Sequence, residues 1–162
     1  MDETAVEPAD PDALTQLDPR YVTVSRISTA LGSIPFLIGA AVAEIFQPFY
    51  PGIVLGPVAL IVLLLVLRVP QRRWMARGYQ MGEDRLRVVR GILWRSDTIV
   101  PFGRVQHIDV DQGVLERAYD LATLTVHTAG VHNASVHLPG LAHEDALAMR
   151  ETIRAHIKRE TL

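Results

Sequence analysis

Val54-Leu-Gly-Pro-Val-Ala-Leu-Ile-Val-Leu-Leu-Leu-Val-Leu67 carries no charge, and directly after it Arg68, Arg72, Arg73 and Arg77 fall within ten residues. The hydrocarbon core of a bilayer is about 30 Å thick, so a spanning helix needs roughly 20 mostly apolar residues at 1.5 Å each. With its flanks, Gly52–Val69, the stretch comes close to that length, and so does a preceding one, Ile27–Phe46. Together they predict two membrane-spanning helices, at about residues 27–46 and 52–69. Averages over the chain conceal this, because 49% hydrophobic residues and a net charge of −2 would suit many soluble proteins. The composition shift at Arg68 is the real boundary, and it leaves enough chain beyond it for one small folded core.

Charge placement orients the pair. Arg20 and Arg26 precede the first span and the four arginines follow the second, whereas residues 47–52 between them carry no charge. Lysine and arginine near span ends favour the cytoplasmic side, and acidic residues weigh little in that rule. A bacterial inner-membrane hairpin with both termini cytoplasmic is therefore expected, reversing through Gln47-Pro48-Phe49-Tyr50-Pro51-Gly52. Pro35 and Pro57 fall within the expected spans as kink sites. Ala41-Val42-Ala43 after an apolar run has the form of a signal-peptidase site, but the region ahead is long and acidic, which favours a retained hairpin.

The flanks complete the layout: a disordered acidic tail at 1–19, the hairpin with its basic flanks at 20–77, a folded domain at 78–158 and a short tail at 159–162. The first of these rests on six acidic residues and two prolines within residues 1–18, without apolar periodicity. Within the domain, Arg85–Gly91 starts an alternation of polar and apolar residues, and Thr98–Pro101, Arg104–Asp111, Ala122–Ala129 and Ala134–Leu138 follow as short strand candidates. Such spacing indicates antiparallel meanders. A turn at Gly130–Asn133 would set Val126 against Leu138 and Thr128 against Val136, leaving Thr125, His127 and His137 on the other face. Leu141–Lys158 reads as the one soluble helix, with Ala142, Ala146, Met149, Ile153 and Ile157 along a stripe.

Chemistry-bearing residues are sparse. Cysteine is absent, which excludes disulfides and thiolate metal sites. Glu44 is the one ionisable group inside an apolar stretch; proton handling is one reading, and a carboxylate reaching interfacial water near the span end is the stronger one. His127 and His137, as cross-strand neighbours, suit a metal or a pH switch, yet nothing fixes a third ligand beside them. His107, Asp109 and Asp111 share a strand face without a neighbouring nucleophile or phosphate loop. No nucleotide fingerprint occurs, and no metal, cofactor or catalytic residue is expected.

Six segments in order carry a family resemblance: Arg90-Gly91-Ile92-Leu93, Ile99 to Gln106, Leu115-Glu116-Arg117, Leu121 to Leu124, Thr128-Ala129-Gly130 and Leu138-Pro139-Gly140-Leu141. They resemble the bacterial PH-like domain family, formerly a domain of unknown function, whose small hairpin-anchored members are the YdbS-like membrane proteins. The likeness covers roughly Trp74 to Ile157. One departure is Tyr119-Asp120, where the family often places an aromatic before glycine; aspartate also tolerates a left-handed turn.

The resemblance implies a membrane α-helical hairpin plus an α+β PH-like domain, a bent antiparallel sheet or split barrel capped by one carboxy-terminal helix. It implies no enzyme activity. Arg104, Gln106 and Arg117, in the matched segments, suit structural roles at strand ends, with arginine stems packing and heads bonding to carbonyls, and are otherwise candidates for an interaction surface. A second PH-like membrane protein, or equally self-association, is the partner the resemblance suggests, alongside the bilayer. No nucleic acid or small-molecule substrate is expected. The competing reading is a small transporter or enzyme subunit using Glu44 or the His127/His137 pair. A weaker one is an anionic-lipid sensor: the arginine cluster could attract lipid, but the loops at Gly82-Glu83-Asp84 and Trp94-Arg95-Ser96-Asp97 are acidic or balanced and promise no headgroup pocket.

Overall fold

The computed structural model of the chain describes residues 14–46, 50–129 and 135–160. Two helices, α1 (Arg20–Ile45) and α2 (Leu55–Met75), form the hairpin, and each runs past its expected span on the side of the folded domain. Their facing stripes are small or β-branched: Thr29, Ser33 and Ala40 are buried or half-buried on α1, and Val58, Val62 and Val66 are half-buried on α2. Small side chains let helices approach closely where lipid supplies no hydrophobic drive. Ser33 and Thr29 return their hydroxyls to the carbonyls of Thr29 and Ser25, each at 2.7 Å.

The other faces of both helices are bare. Phe36, Ile38, Leu60, Ile61 and Leu63 are all more than half exposed, and only 11% and 6% of the most apolar windows of α1 and α2 is buried in the protein. A core helix of a soluble domain would be mostly covered, so this apolar surface has the character of a lipid-facing one.

Pro57 does not kink the second span as expected. It sits in the first turn of α2, where backbone donors have no intrahelical acceptor to lose. The internal proline of that helix is the buried Pro70. Its ring leaves the Val66 carbonyl without a helix donor, and beside it Arg26 Nη2 donates to the Leu67 carbonyl at 3.4 Å and to Gln71 Oε1 at 3.5 Å.

Beyond α2 the chain builds two three-stranded antiparallel sheets. The first contains β1 (Arg77–Met81), β2 (Arg85–Arg90) and β3 (Ser96–Pro101) in that order, with Arg77 paired to Arg90 and Arg90 to Ser96. A 3-10 turn at Phe102–Arg104 leads to the second, β4 (Val105–Asp111), β5 (Leu121–Thr128) and β6 (Ser135–Ala142). Between β4 and β5 lies a five-residue helix, α3 (Val114–Ala118), and α4 (His143–Glu160) closes the domain. β1, α3, the run of β6 through Leu141 and Ala142 where the helix was expected to begin, and the continuation of α4 through Glu160 depart from the sequence expectation. α3 is held by Glu116, whose carboxylate accepts from the Gly113 amide at 2.8 Å and the Thr123 hydroxyl at 2.8 Å. Asp120 follows with φ 57°, the left-handed turn that its position before β5 requires.

The core lies between the sheets and α4. Leu86, Val88, Val100 and Phe102 come from the first sheet and its exit, Leu124, Val126, Val136 and Leu138 from the second, and Ala146, Met149 and Ile153 from α4. Alternation in each strand and a three-to-four spacing in α4 deliver these side chains to one space.

Leu17 belongs to the same core at 1% exposure, which corrects the expectation of a disordered tail through residue 19. Thr15 pairs with Tyr79 as an added bridge beside β1, its amide and carbonyl bonding those of Tyr79 at 2.7 and 2.9 Å. Four residues are too few to show a period, so this docking left no pattern in the sequence.

Candidate functional site

Three places hold the polar groups singled out above: the seam between hairpin and domain, the reversal end of the hairpin, and the second sheet with its flanking α3. At the seam, Asp18 accepts from the Arg20 amide at 2.7 Å, capping the entry to α1, and its carboxylate is bound by the Arg20 guanidinium at 2.8 Å. That guanidinium holds the Asp18 carboxyl below the usual aspartate range. Arg20 also donates to the Tyr119 carbonyl at 3.3 Å, joining α1 to the end of α3.

Trp74 Nε1 donates to the Leu17 carbonyl at 2.8 Å, and Arg77 donates to the Tyr21 hydroxyl at 2.8 Å. The Asp18 amide bonds the Gly140 carbonyl at 3.0 Å. Gly140 has φ 76°, and a Cβ there would stand 2.5 Å from the Tyr21 ring, so only glycine fits against α1. Arg20, Arg26 and Arg77 are thus parts of a joint, whereas Arg68, Arg72 and Arg73 stay exposed along the end of α2.

Glu44 does not merely reach water. Its carboxylate receives the amides of Gly52, Val54 and Leu55, the latter two at 3.0 Å, and so caps the start of α2 from the end of α1. Free amides and the positive end of the helix dipole make that a favourable seat for a carboxylate.

The histidine pair is corrected by the strand register. His137 lies opposite Thr125, with Nδ1 and Oγ1 3.0 Å apart, and His127 lies opposite Ser135. The cross-strand neighbour of His127 on its other side is His107. Asp109 stands between these two, its oxygens 2.7 Å from His107 Nε2 and 3.3 Å from His127 Nε2. His107 is exposed while Asp109 and His127 are half-buried, and among the described residues no group of three His, Cys, Asp or Glu is disposed to hold a metal ion. The expected turn at Gly130–Asn133, with His132 in it, lies outside the described residues.

A groove of about 850 Å³ separates β4 from α4, lined by Val105, Gln106, His107 and Ile108 on one wall and by Arg150, Glu151, Arg154 and Lys158 on the other. β4 is an edge strand. Its register slips between Val105 and His107, so Gln106 is a bulged residue, and bulges commonly re-aim a side chain. Three cations face one carboxylate across the helical wall, with Arg150 and Arg154 both reaching Glu151, at 3.1 and 3.4 Å. Arg104, in the turn before β4, and Gln106 are near neighbours in sequence here. Arg117 is not brought to this surface: it lies on α3, which packs against β5 and α1.

The bacterial PH domain family matches residues 29–157, a span that begins inside α1 and includes most of the hairpin as well as the sheets. The UPF0699 transmembrane protein YdbS of Bacillus subtilis (strain 168) is 33% identical over 145 residues, covering 85% of this chain and 89% of the relative. No solved structure matches. Two bare apolar helices feeding a pair of three-stranded sheets closed by α4, with that profile running through both parts, mean that the chain belongs to the bacterial PH domain family, as a YdbS-like transmembrane member.

Proposed function

We propose that this protein is a non-enzymatic interaction module, fixed in the bacterial inner membrane with both termini cytoplasmic, that offers the β4–α4 groove to an extended segment of another envelope protein. The groove carries this reading. It combines an edge strand, a bulge that exposes a side-chain amide, and an opposing wall with a cationic excess, which together suit an extended chain with acidic side chains. A second PH-like membrane protein or a second copy of this chain is the class of partner. Holding both in one bilayer raises their effective concentration, so a weak contact suffices.

Orientation rests on the arginines at the domain-side helix ends against an uncharged reversal. The transporter reading loses its two supports: Glu44 is engaged as a helix cap, and His137 is turned to Thr125 rather than to His127.

A photo-crosslinking residue at position 106, in the full chain in native membranes, tests the groove. A discrete adduct with another membrane protein or with a second copy is expected, and the pair Arg154→Glu and Lys158→Glu should abolish it. No adduct at 106, or one indifferent to the reversed charges, overturns the reading. Cysteines placed at either terminus should label only in inverted vesicles; labelling of the amino terminus in intact cells would overturn the orientation.

A further inference from the structure

The loop from Gly91 to Arg95 carries the largest apolar exposure outside the hairpin. Leu93 is 85% exposed, Trp94 84% and Ile92 45%, the one run of consecutive large exposed apolar residues among the described residues beyond α2. The tip is held in this shape. Gly91 has φ 134°, and a Cβ there would lie 1.7 Å from the Trp94 carbonyl oxygen, so the base of the loop is closed tightly and the three side chains between are turned outward.

Topology decides where the tip points. β1 leaves α2 at Arg77 and β2 returns antiparallel to it, ending at Arg90 directly opposite Arg77. The chain then continues in the direction of β2, past the point where β1 left the helix. Gly91 and Arg95 line one hollow together with Met75, Ala76 and Arg77, which places the base of the loop beside the last turn of α2. Met75 is itself 54% exposed, and Arg72 and Arg73 lie in that turn.

The distances match a membrane interface. From Val69 to Met75 an α-helix rises about 9 Å at 1.5 Å per residue. The polar zone of each leaflet accounts for roughly 5–8 Å beyond the hydrocarbon. Interfacial elements seat their apolar side chains about 5–10 Å into that boundary. A loop that turns back along the helix end by two residues spans this gap, and tryptophan is a residue favoured at that depth. Arg90 and Arg95 flank the tip in sequence, two cations of the kind that anionic headgroups attract.

We propose that Ile92-Leu93-Trp94 dips into the domain-side leaflet of the bilayer that holds the hairpin, as a third membrane contact of the chain. The hairpin and the loop then grip the same leaflet from two positions, which fixes the tilt of the domain. This contact is independent of the groove and of any protein partner.

The absence of cysteine makes a single reporter clean. The full chain carrying Leu93→Cys, spin-labelled and reconstituted in vesicles of phosphatidylcholine and phosphatidylglycerol, is compared with Glu83→Cys at the opposite end of the β1–β2 hairpin. The label at 93 should collide more readily with oxygen than with a water-soluble nickel chelate, and the label at 83 the reverse. Equal access of the chelate at both positions would overturn the proposal by placing the loop in water. Protection of position 93 from both reagents would overturn it as well, by placing the loop against protein. Ile92→Cys, at the same tip, should give the same depth ordering; a chelate-accessible label there would count against insertion.

Discussion

The seam and the groove are both polar surfaces of one small domain, yet they are finished in opposite ways. At the seam several polar groups find partners across elements: Arg20 with the Tyr119 carbonyl, Arg77 with Tyr21 and Trp74 with the Leu17 carbonyl, beside the local pair of Asp18 and Arg20. In the groove, Arg150 and Arg154 share Glu151 at the surface, and a volume large enough for side chains of another molecule stays open. Internally satisfied polar groups fix a geometry, whereas a cationic excess beside a strand edge is charge that the described residues of the fold leave unbalanced.

The comparison breaks first at Leu17. Leu17→Ala removes a fully buried side chain and should destabilise the domain by about 2–5 kcal/mol, read as a lower unfolding midpoint in detergent. A change near zero would mean that residues 14–19 merely lie on the surface. Gly140→Ala comes next: a Cβ against the Tyr21 ring and a left-handed backbone together cost about 1–3 kcal/mol. Its signature should be easier proteolysis between Leu14 and Tyr21 in the folded protein.

At the groove, Arg154→Glu should leave stability within about 0.5 kcal/mol, as surface changes do, while removing the adduct formed from position 106. The smallest effect is in acid. Asp18 has a lowered pKa, so its pairing contributes stability that is present above the unfolded value near 3.8 and is lost as pH falls through the lower folded value. Asp18→Asn should therefore flatten the acid limb of the stability profile below about pH 4, and an unchanged limb would refute the pairing.

Legibility followed the length of the pattern. The spans and α4 declare themselves over many residues, and Ala146, Met149 and Ile153 are buried on the stripe read from the sequence. The β5–β6 hairpin was legible in its faces but not in its pairing: Val126 meets Val136 rather than Leu138. Because the slip is by an even number of positions, inward residues stayed inward, while the histidine partners changed. Glu44 illustrates another limit, since its amide partners lie across a reversal and no periodicity announces them. Of the residues singled out in the sequence for an interaction surface only Gln106 lines the groove; its other wall comes from α4, more than forty residues later, and only folding brings the two together.

Leu17 has a consequence for biosynthesis. It enters the ribosome's output before the first membrane helix, but the core that receives it is complete only once Ile153 has been made. At roughly 5–20 residues per second that interval is about 7–27 s, during which both helices must cross the membrane and return the chain to the same side. Had the second helix failed to cross, the rest of the domain would emerge on the opposite face from Leu17, with a hole in its core. Closure of the core thus requires that both helices have crossed, and it holds the segment before the hairpin and the domain after it on one side of the membrane.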